Sequence, residues 1–157
     1  MSRSVSVDLP KNLGPGLGLI LMVGVLVGVG SYTFFYADGA SYFSKNPEAC
    51  ANCHVMQPYY DSWTKSSHQP VAGCADCHLP SSGVHQYVAK ADNGFRHAWA
   101  FTFQNFKEPI DIIPRNSRIL QNSCVECHEP LVHNIMNQEN NPTCVRCHTD
   151  VGHGLTR

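Results

Sequence analysis

The chain of 157 residues carries a formal net charge of −1, and only 15% of its residues are charged. Without an excess of cations it has no footprint for a nucleic acid, so that class of partner is excluded. The length suits one domain, or a small domain with one added element. Hydrophobic residues make up 43% of the chain, but a long block of them sits in one place.

That block is the first element. No charged residue occurs over residues 12–37, and residues 17–36 are almost wholly apolar. About 20 such residues cross a bilayer as a helix. A cleaved signal peptide is the rival, and Ala37-Asp38-Gly39 puts small residues where a signal peptidase reads. Against cleavage, the apolar run is longer than a signal-peptide core and its leader is weakly basic, with Arg3 and Lys11 opposed by Asp8. We therefore expect a cytoplasmic stretch at 1–16, a retained single membrane helix at 17–37, and residues 38–157 outside the inner membrane. Gly24 and Gly28 have the spacing that lets a second helix approach, although glycine is also simply common in membrane helices.

The rest of the chain is polar, rich in turn residues, and contains C-x-x-C-H four times: Cys50/Cys53/His54, Cys74/Cys77/His78, Cys124/Cys127/His128 and Cys144/Cys147/His148. In each copy the two thiols can bond one porphyrin, and the adjacent imidazole can take the iron from one side. All eight cysteines are used this way. Zinc is the rival, since Cys50/Cys53 with Cys74/Cys77 has the spacing of a zinc ribbon. Zinc, however, has no need of a histidine after every second cysteine. The chain reads as a tetrahaem cytochrome with four covalent c-type haems, numbered 1 to 4 in chain order. Bacteria attach such haems outside the cytoplasm, so residues 38–157 belong in the periplasm. So few apolar side chains cannot build an ordinary core, and the haems must supply it.

The motifs fall into pairs, 24 residues apart from Cys50 to Cys74 and 20 from Cys124 to Cys144, as in a duplicated two-haem unit. Prolines at 47, 58, 70, 80, 109, 114, 130 and 142 divide the domain, and no stretch alternates as a strand should. The expected fold is mainly α and irregular: one transmembrane helix, then a small multihaem domain with little regular secondary structure. Its helices should be short, with each motif at the start of one. Second ligands for the irons could come from His68, His85, His97, His133 and His153. A histidine just downstream of its own motif cannot easily reach the far face of that porphyrin, so His133 and His153 serve a neighbour or none. Lys90 and His97, seven residues apart, share a helical face, with Phe95, Trp99 and Phe103 opposite. The aromatic side suits packing against a haem or the membrane interface.

Several strings carry a resemblance over nearly the whole chain: Cys50-Ala-Asn-Cys53-His54-Val-Met56, Ser66-Ser67-His68, Lys90-Ala-Asp-Asn-Gly-Phe-Arg-His97, Glu108-Pro109-Ile110 and Val151-Gly152-His153. With the anchor and the four motifs, the chain resembles the membrane-anchored tetrahaem quinol dehydrogenases of the NapC/NirT group, above all the small subunits of cytochrome c nitrite reductases. The resemblance implies oxidation of menaquinol and delivery of electrons to a periplasmic multihaem reductase. It implies Met56 as the haem 1 ligand with His54 displaced, a thioether that raises the haem potential. It also implies His153 on the haem of His128 and His68 on that of His148. Haem 2, with His78, would then take a lysine from the large subunit. Quinol oxidation needs an acceptor haem and a nearby base, and His97 titrates in the right range. Lys90 would stand beside it and Asp92 would be the fallback acid. Some relatives have aspartate where this chain has His97, so His97 as a direct ligand of haem 1 stays open.

Two other readings compete. One is an electron carrier that serves another periplasmic reductase (of nitrate, trimethylamine N-oxide or metal) without oxidising quinol. The other is an independent catalyst with an open haem, which the small size of the chain disfavours. Met56, Lys90 and His97 favour the quinol dehydrogenase. Mass spectrometry of the mature protein should find four covalent haems on a chain that keeps its apolar helix; a chain starting at Ala40 would count against the anchor.

Overall fold

The computed structural model describes residues 13–81, 83–137 and 142–154, and all regular structure among them is helical. The expected leader, with Arg3, Asp8 and Lys11, lies outside the described residues. Residues up to Ser41 and from Tyr42 onward form two separate compact units.

The first unit is one helix, α1 (Leu13–Tyr36), of 24 residues. It begins four residues ahead of the expected span, because Pro15 is tolerated in a first helical turn. Gly14–Tyr36 has a mean hydropathy of 2.0 and none of it is buried. At 1.5 Å per residue, α1 is about 36 Å long, enough to cross the hydrocarbon of a bilayer. After it Asp38 takes a left-handed φ of 48°. Gly39 follows under the Phe34 ring, where a Cβ would lie 2.5 Å from a ring carbon.

The second unit begins with α2 (Pro47–Ala51), which has Pro47 in its first turn and Asn46 accepting from the Glu48 N–H at 3.2 Å. Then come α3 (Gln57–Trp63), α4 (Cys74–His78), α5 (Gly83–Phe103) and α6 (Pro114–Met136), with 3-10 turns at His54–Met56 and Cys144–Arg146. Trp63 Nε1 donates to the Ala72 carbonyl at 2.9 Å and closes the loop between α3 and α4. α4 packs on α6. α5 is tied to α6 by Arg115 on Asp92 at 2.5 Å and by Asn116 on Asn93 at 2.8 Å.

Two features depart from expectation. Helices α5 and α6 are long, 21 and 23 residues. The motifs also do not all open helices: the third lies in mid-α6, and the first straddles the end of α2. Pro130 sits inside α6 without ending it. It removes one ladder donor, while Glu129 and His133, paired at 3.2 Å, brace the same turn from outside.

The core is thin. Among the described residues only Ala75, Leu79 and Ala89 are buried apolar side chains, with Gln86 the buried polar one. A fully buried large side chain contributes about 1.5–3 kcal/mol, whereas ordering the backbone costs about 1–2 kcal/mol per residue. Two alanines and a leucine cannot carry such a unit. Removing one thioether anchor, as in Cys127→Ala or Cys147→Ala, should therefore prevent folding altogether. Far-UV circular dichroism with haem staining would check this, and a stable three-haem protein of native helicity would contradict it.

Candidate functional site

Each motif makes about one turn of chain. In α4 and α6 the cysteines stand at i and i+3 and the histidine at i+4, so all three side chains share a face. Asp76 accepts the Gly73 N–H at 2.9 Å and fixes the start of α4. In the fourth motif the N–H groups of Cys147 and His148 both donate to the Cys144 carbonyl, at 3.2 and 3.0 Å. In the first, α2 ends at Ala51 and His54 opens a 3-10 turn that closes at Met56. At three residues per turn these two side chains point to different sides; His54 is exposed and Met56 half-buried.

Successive motifs meet through their sulfurs. The Cys50 and Cys74 thiols are hydrogen-bonded; this lowers the Cys50 pKa to about 7 against the opposing effect of burial, and the Lys90 charge lowers it further. The same bond, then burial, pushes Cys74 up. Cys124 and Cys144 are hydrogen-bonded too, with Cys124 raised mainly by burial. Burial raises Cys77, followed by the charges of Asp76 and Cys127. The four C-x-x-C-H turns thus adjoin in chain order, first to second, second to third, third to fourth.

Two histidine pairs accompany them. The rings of His78 and His153 lie 5.9 Å apart and within 13° of parallel. The rings of His68 and His128 lie 6.1 Å apart at 69°. Imidazoles on opposite sides of one metal, each nitrogen ~2 Å from it, have ring centres about 6 Å apart, and both pairs have that separation. Burial, then the neighbouring His153, lowers the His78 pKa to about 4, which keeps its lone pair free for a metal. Burial also lowers His153, whose ring meets the edge of Tyr59 at 5.2 Å. His68 Nδ1 lies 2.9 Å from the Val151 carbonyl, which leaves Nε2 free for another partner.

These are not the pairings that the resemblance implies. His153 stands beside His78 rather than His128, and His68 stands beside His128 rather than His148. The cause is tertiary: the Gly154 N–H donates to Ser62 Oγ at 2.8 Å, which draws the C-terminal segment onto α3. Among the described residues no second histidine ring stands beside His148 or His54. His133 is engaged by Glu129 at 3.2 Å and Asn137 at 3.1 Å, and His85 is exposed.

On α5, Lys90 and His97 share a face as expected. Lys90 Nζ donates to the carbonyls of Ser44 at 2.6 Å and Tyr42 at 3.1 Å, which uses two of its three donors. Partial burial lowers the His97 pKa. Asp92 does not join them: its carboxylate takes Arg96 at 3.0 Å and Arg115 at 2.5 Å, on the opposite side of the helix. Phe95, Trp99 and Phe103 are 67%, 52% and 59% exposed. With Arg96, Phe95 and Trp99 line an open cavity of about 240 Å³. Tyr42, whose hydroxyl donates to the Lys90 carbonyl, is the residue that sequence reasoning missed. It lies in a stretch between anchor and first motif that has no periodicity to reveal it.

Residues 12–113 match the model of the NapC/NirT cytochrome c family, N-terminal region. The chain is 34% identical to the cytochrome c-type protein NrfH of Wolinella succinogenes, over 88% of this chain and 85% of that one. It is 25% identical to the denitrification system component NirT of Stutzerimonas stutzeri, over 88% and 82%. Among solved structures it is similar to a chain of the cytochrome c nitrite reductase NrfHA complex bound to the HQNO inhibitor. That likeness has a TM-score of 0.62 at 21% identity and covers 88% of this chain and 92% of the other.

The double arginine bridge gives Asp92 a structural part. Asp92→Asn should cost about 1 kcal/mol, as partly exposed ion pairs do, and lower Tm by a few degrees while leaving haem reduction rates unchanged. A loss of rate at unchanged Tm would return Asp92 to the list of proton-carrying groups.

Proposed function

The chain belongs to the NapC/NirT cytochrome c family, and from that premise we propose that it is a membrane-anchored tetrahaem cytochrome that oxidises menaquinol. It hands the electrons to a periplasmic multihaem reductase, a cytochrome c nitrite reductase. The carrying observation is the unbroken series in which the four attachment sites adjoin, beside a helix face bearing Lys90 and His97. The relative named NrfH, and the likeness to a chain from a nitrite reductase complex, support the choice of partner. The proposed organisation is a cytoplasmic N-terminus, one membrane helix and a haem domain in the periplasm.

When bound, the haems supply the one-electron carriers. The eight cysteines hold them, and Met56, half-buried where His54 is exposed, is the ligand for haem 1. His78 with His153 suits haem 2, and His128 with His68 suits haem 3. The ligand from the reductase that was expected at haem 2 would then be needed at haem 4, since no second histidine ring stands beside His148 among the described residues. At the donor end the third N–H of Lys90 remains to orient a quinol hydroxyl, and His97 is the base for its proton.

Two outcomes test this. Full-length protein in detergent should be reduced by menadiol, a menaquinol analogue, and His97→Ala should slow that at least tenfold, as loss of a general base does. Reduction by protein donors alone would favour the plain electron carrier. For the ligands, His153→Ala should convert one low-spin haem to a high-spin form in electron spin resonance, while His133→Ala leaves the spectrum unaltered. An unchanged spectrum in His153→Ala would sink the His78–His153 pairing.

A further inference from the structure

We propose that Tyr42 is a positioning residue of the quinol site: its phenol hydroxyl is built into one rung of α5 and fixes where Lys90 and His97 stand against the first C-x-x-C-H turn. The inference rests on the reading of Lys90 and His97 as the quinol-facing pair.

The hydroxyl donates to the Lys90 carbonyl, and the backbone N–H of Gly94 is turned on the same phenol oxygen. Lys90 C=O and Gly94 N–H are the two ends of a single i to i+4 rung. A hydroxyl can serve both, since it offers one donor and two acceptor positions. Inserting such a group into the ladder is a known way to set the local direction of a helix. The tie runs both ways, because Lys90 Nζ donates to the backbone carbonyls of Tyr42 and Ser44 at 3.1 and 2.6 Å. Each side chain therefore holds the other residue's main chain.

Gly94 is what admits the ring. A Cβ there would lie 2.6 Å from the Tyr42 hydroxyl and 2.8 Å from the ring carbon that bears it. Any larger residue would push the phenol off the helix. At 100° per residue, Lys90, Gly94 and His97 fall within about 60° of one another, so Tyr42 abuts the same face that carries the pair. It is also close to the first C-x-x-C-H turn, since Cys50 and Cys53 lie near enough to influence its hydroxyl and Lys90 lies near enough to influence Cys50. Burial keeps the phenol protonated, in the form that can donate. One residue thus couples the haem 1 turn to the register of the helix face. A substrate held between the two is sensitive to displacements of about 1 Å.

The test uses the full-length tetrahaem protein in detergent, with menadiol as donor. Tyr42→Phe keeps the ring and removes the hydroxyl. It should lower kcat about tenfold with KM within twofold, at unchanged haem content and unchanged dithionite-reduced spectrum. Gly94→Ala, which displaces the ring from outside, should give the same split, and Tyr42→Phe combined with Gly94→Ala should cost no more than either change alone. Tyr42→Phe and Gly94→Ala proteins that turn over menadiol like the wild type would overturn the positioning role while leaving the quinol reading intact. A wild-type protein that menadiol cannot reduce would instead overturn the quinol reading, and the role of Tyr42 with it.

Discussion

Two thiols and an imidazole have to reach one porphyrin from a single turn of chain, and that requirement organises the whole second unit. A helical turn meets it at α4 and in the middle of α6, and a 3-10 turn meets it at Cys144–Arg146. Because so little apolar surface is buried among the described residues, covalent haem anchoring, as proposed above, would take over the task that side-chain packing performs elsewhere. The helices then serve as struts that set sulfur next to sulfur and histidine opposite histidine. α4 on α6 brings the second and third sites together, and Cys144 N–H on Gln121 Oε1 at 2.8 Å brings the fourth to the third.

What could be read from the chain alone was whatever is local. The membrane helix announces itself in uncharged sequence, and each haem site in five consecutive residues. The common face of Lys90 and His97 follows from helical period. The length of α6 was hidden because Pro130 reads as a breaker, while a proline in a helix braced from outside loses only one bond. The histidine partners were hidden for a different reason. They depend on hydrogen bonds between residues far apart in sequence, such as Ser62 to Gly154 and His68 to Val151, and no periodicity encodes those. The resemblance implied His153 with His128 and His68 with His148, whereas the fold sets the His153 ring beside His78 and the His68 ring beside His128.

Helix α5 divides its labour by face. One side presents Lys90, Gly94 and His97, with Tyr42 laid across it. The other carries Asp92 into its arginine pair and an exposed ladder of Phe95, Trp99 and Phe103, with the last two rings 4.4 Å apart. An acidic residue two positions from Lys90 invites a catalytic reading in one dimension, but two steps of 100° put it across the helix. The Lys90–His97 face and the Asp92 carboxylate with its two arginines therefore lie on different sides of this helix.

The sulfur contacts also constrain how such a molecule can be made. In a chain that folded before its haems arrived, the Cys50 thiol would lie against Cys74 and the Cys124 thiol against Cys144. The hydrogen bond to Cys74 and then the Lys90 charge lower the Cys50 pKa to about 7, towards the thiolate that attacks. In an oxidising compartment each contact would become a disulfide joining two different motifs, and a single such bond disables two attachment sites. Haem attachment ahead of compaction would avoid that outcome.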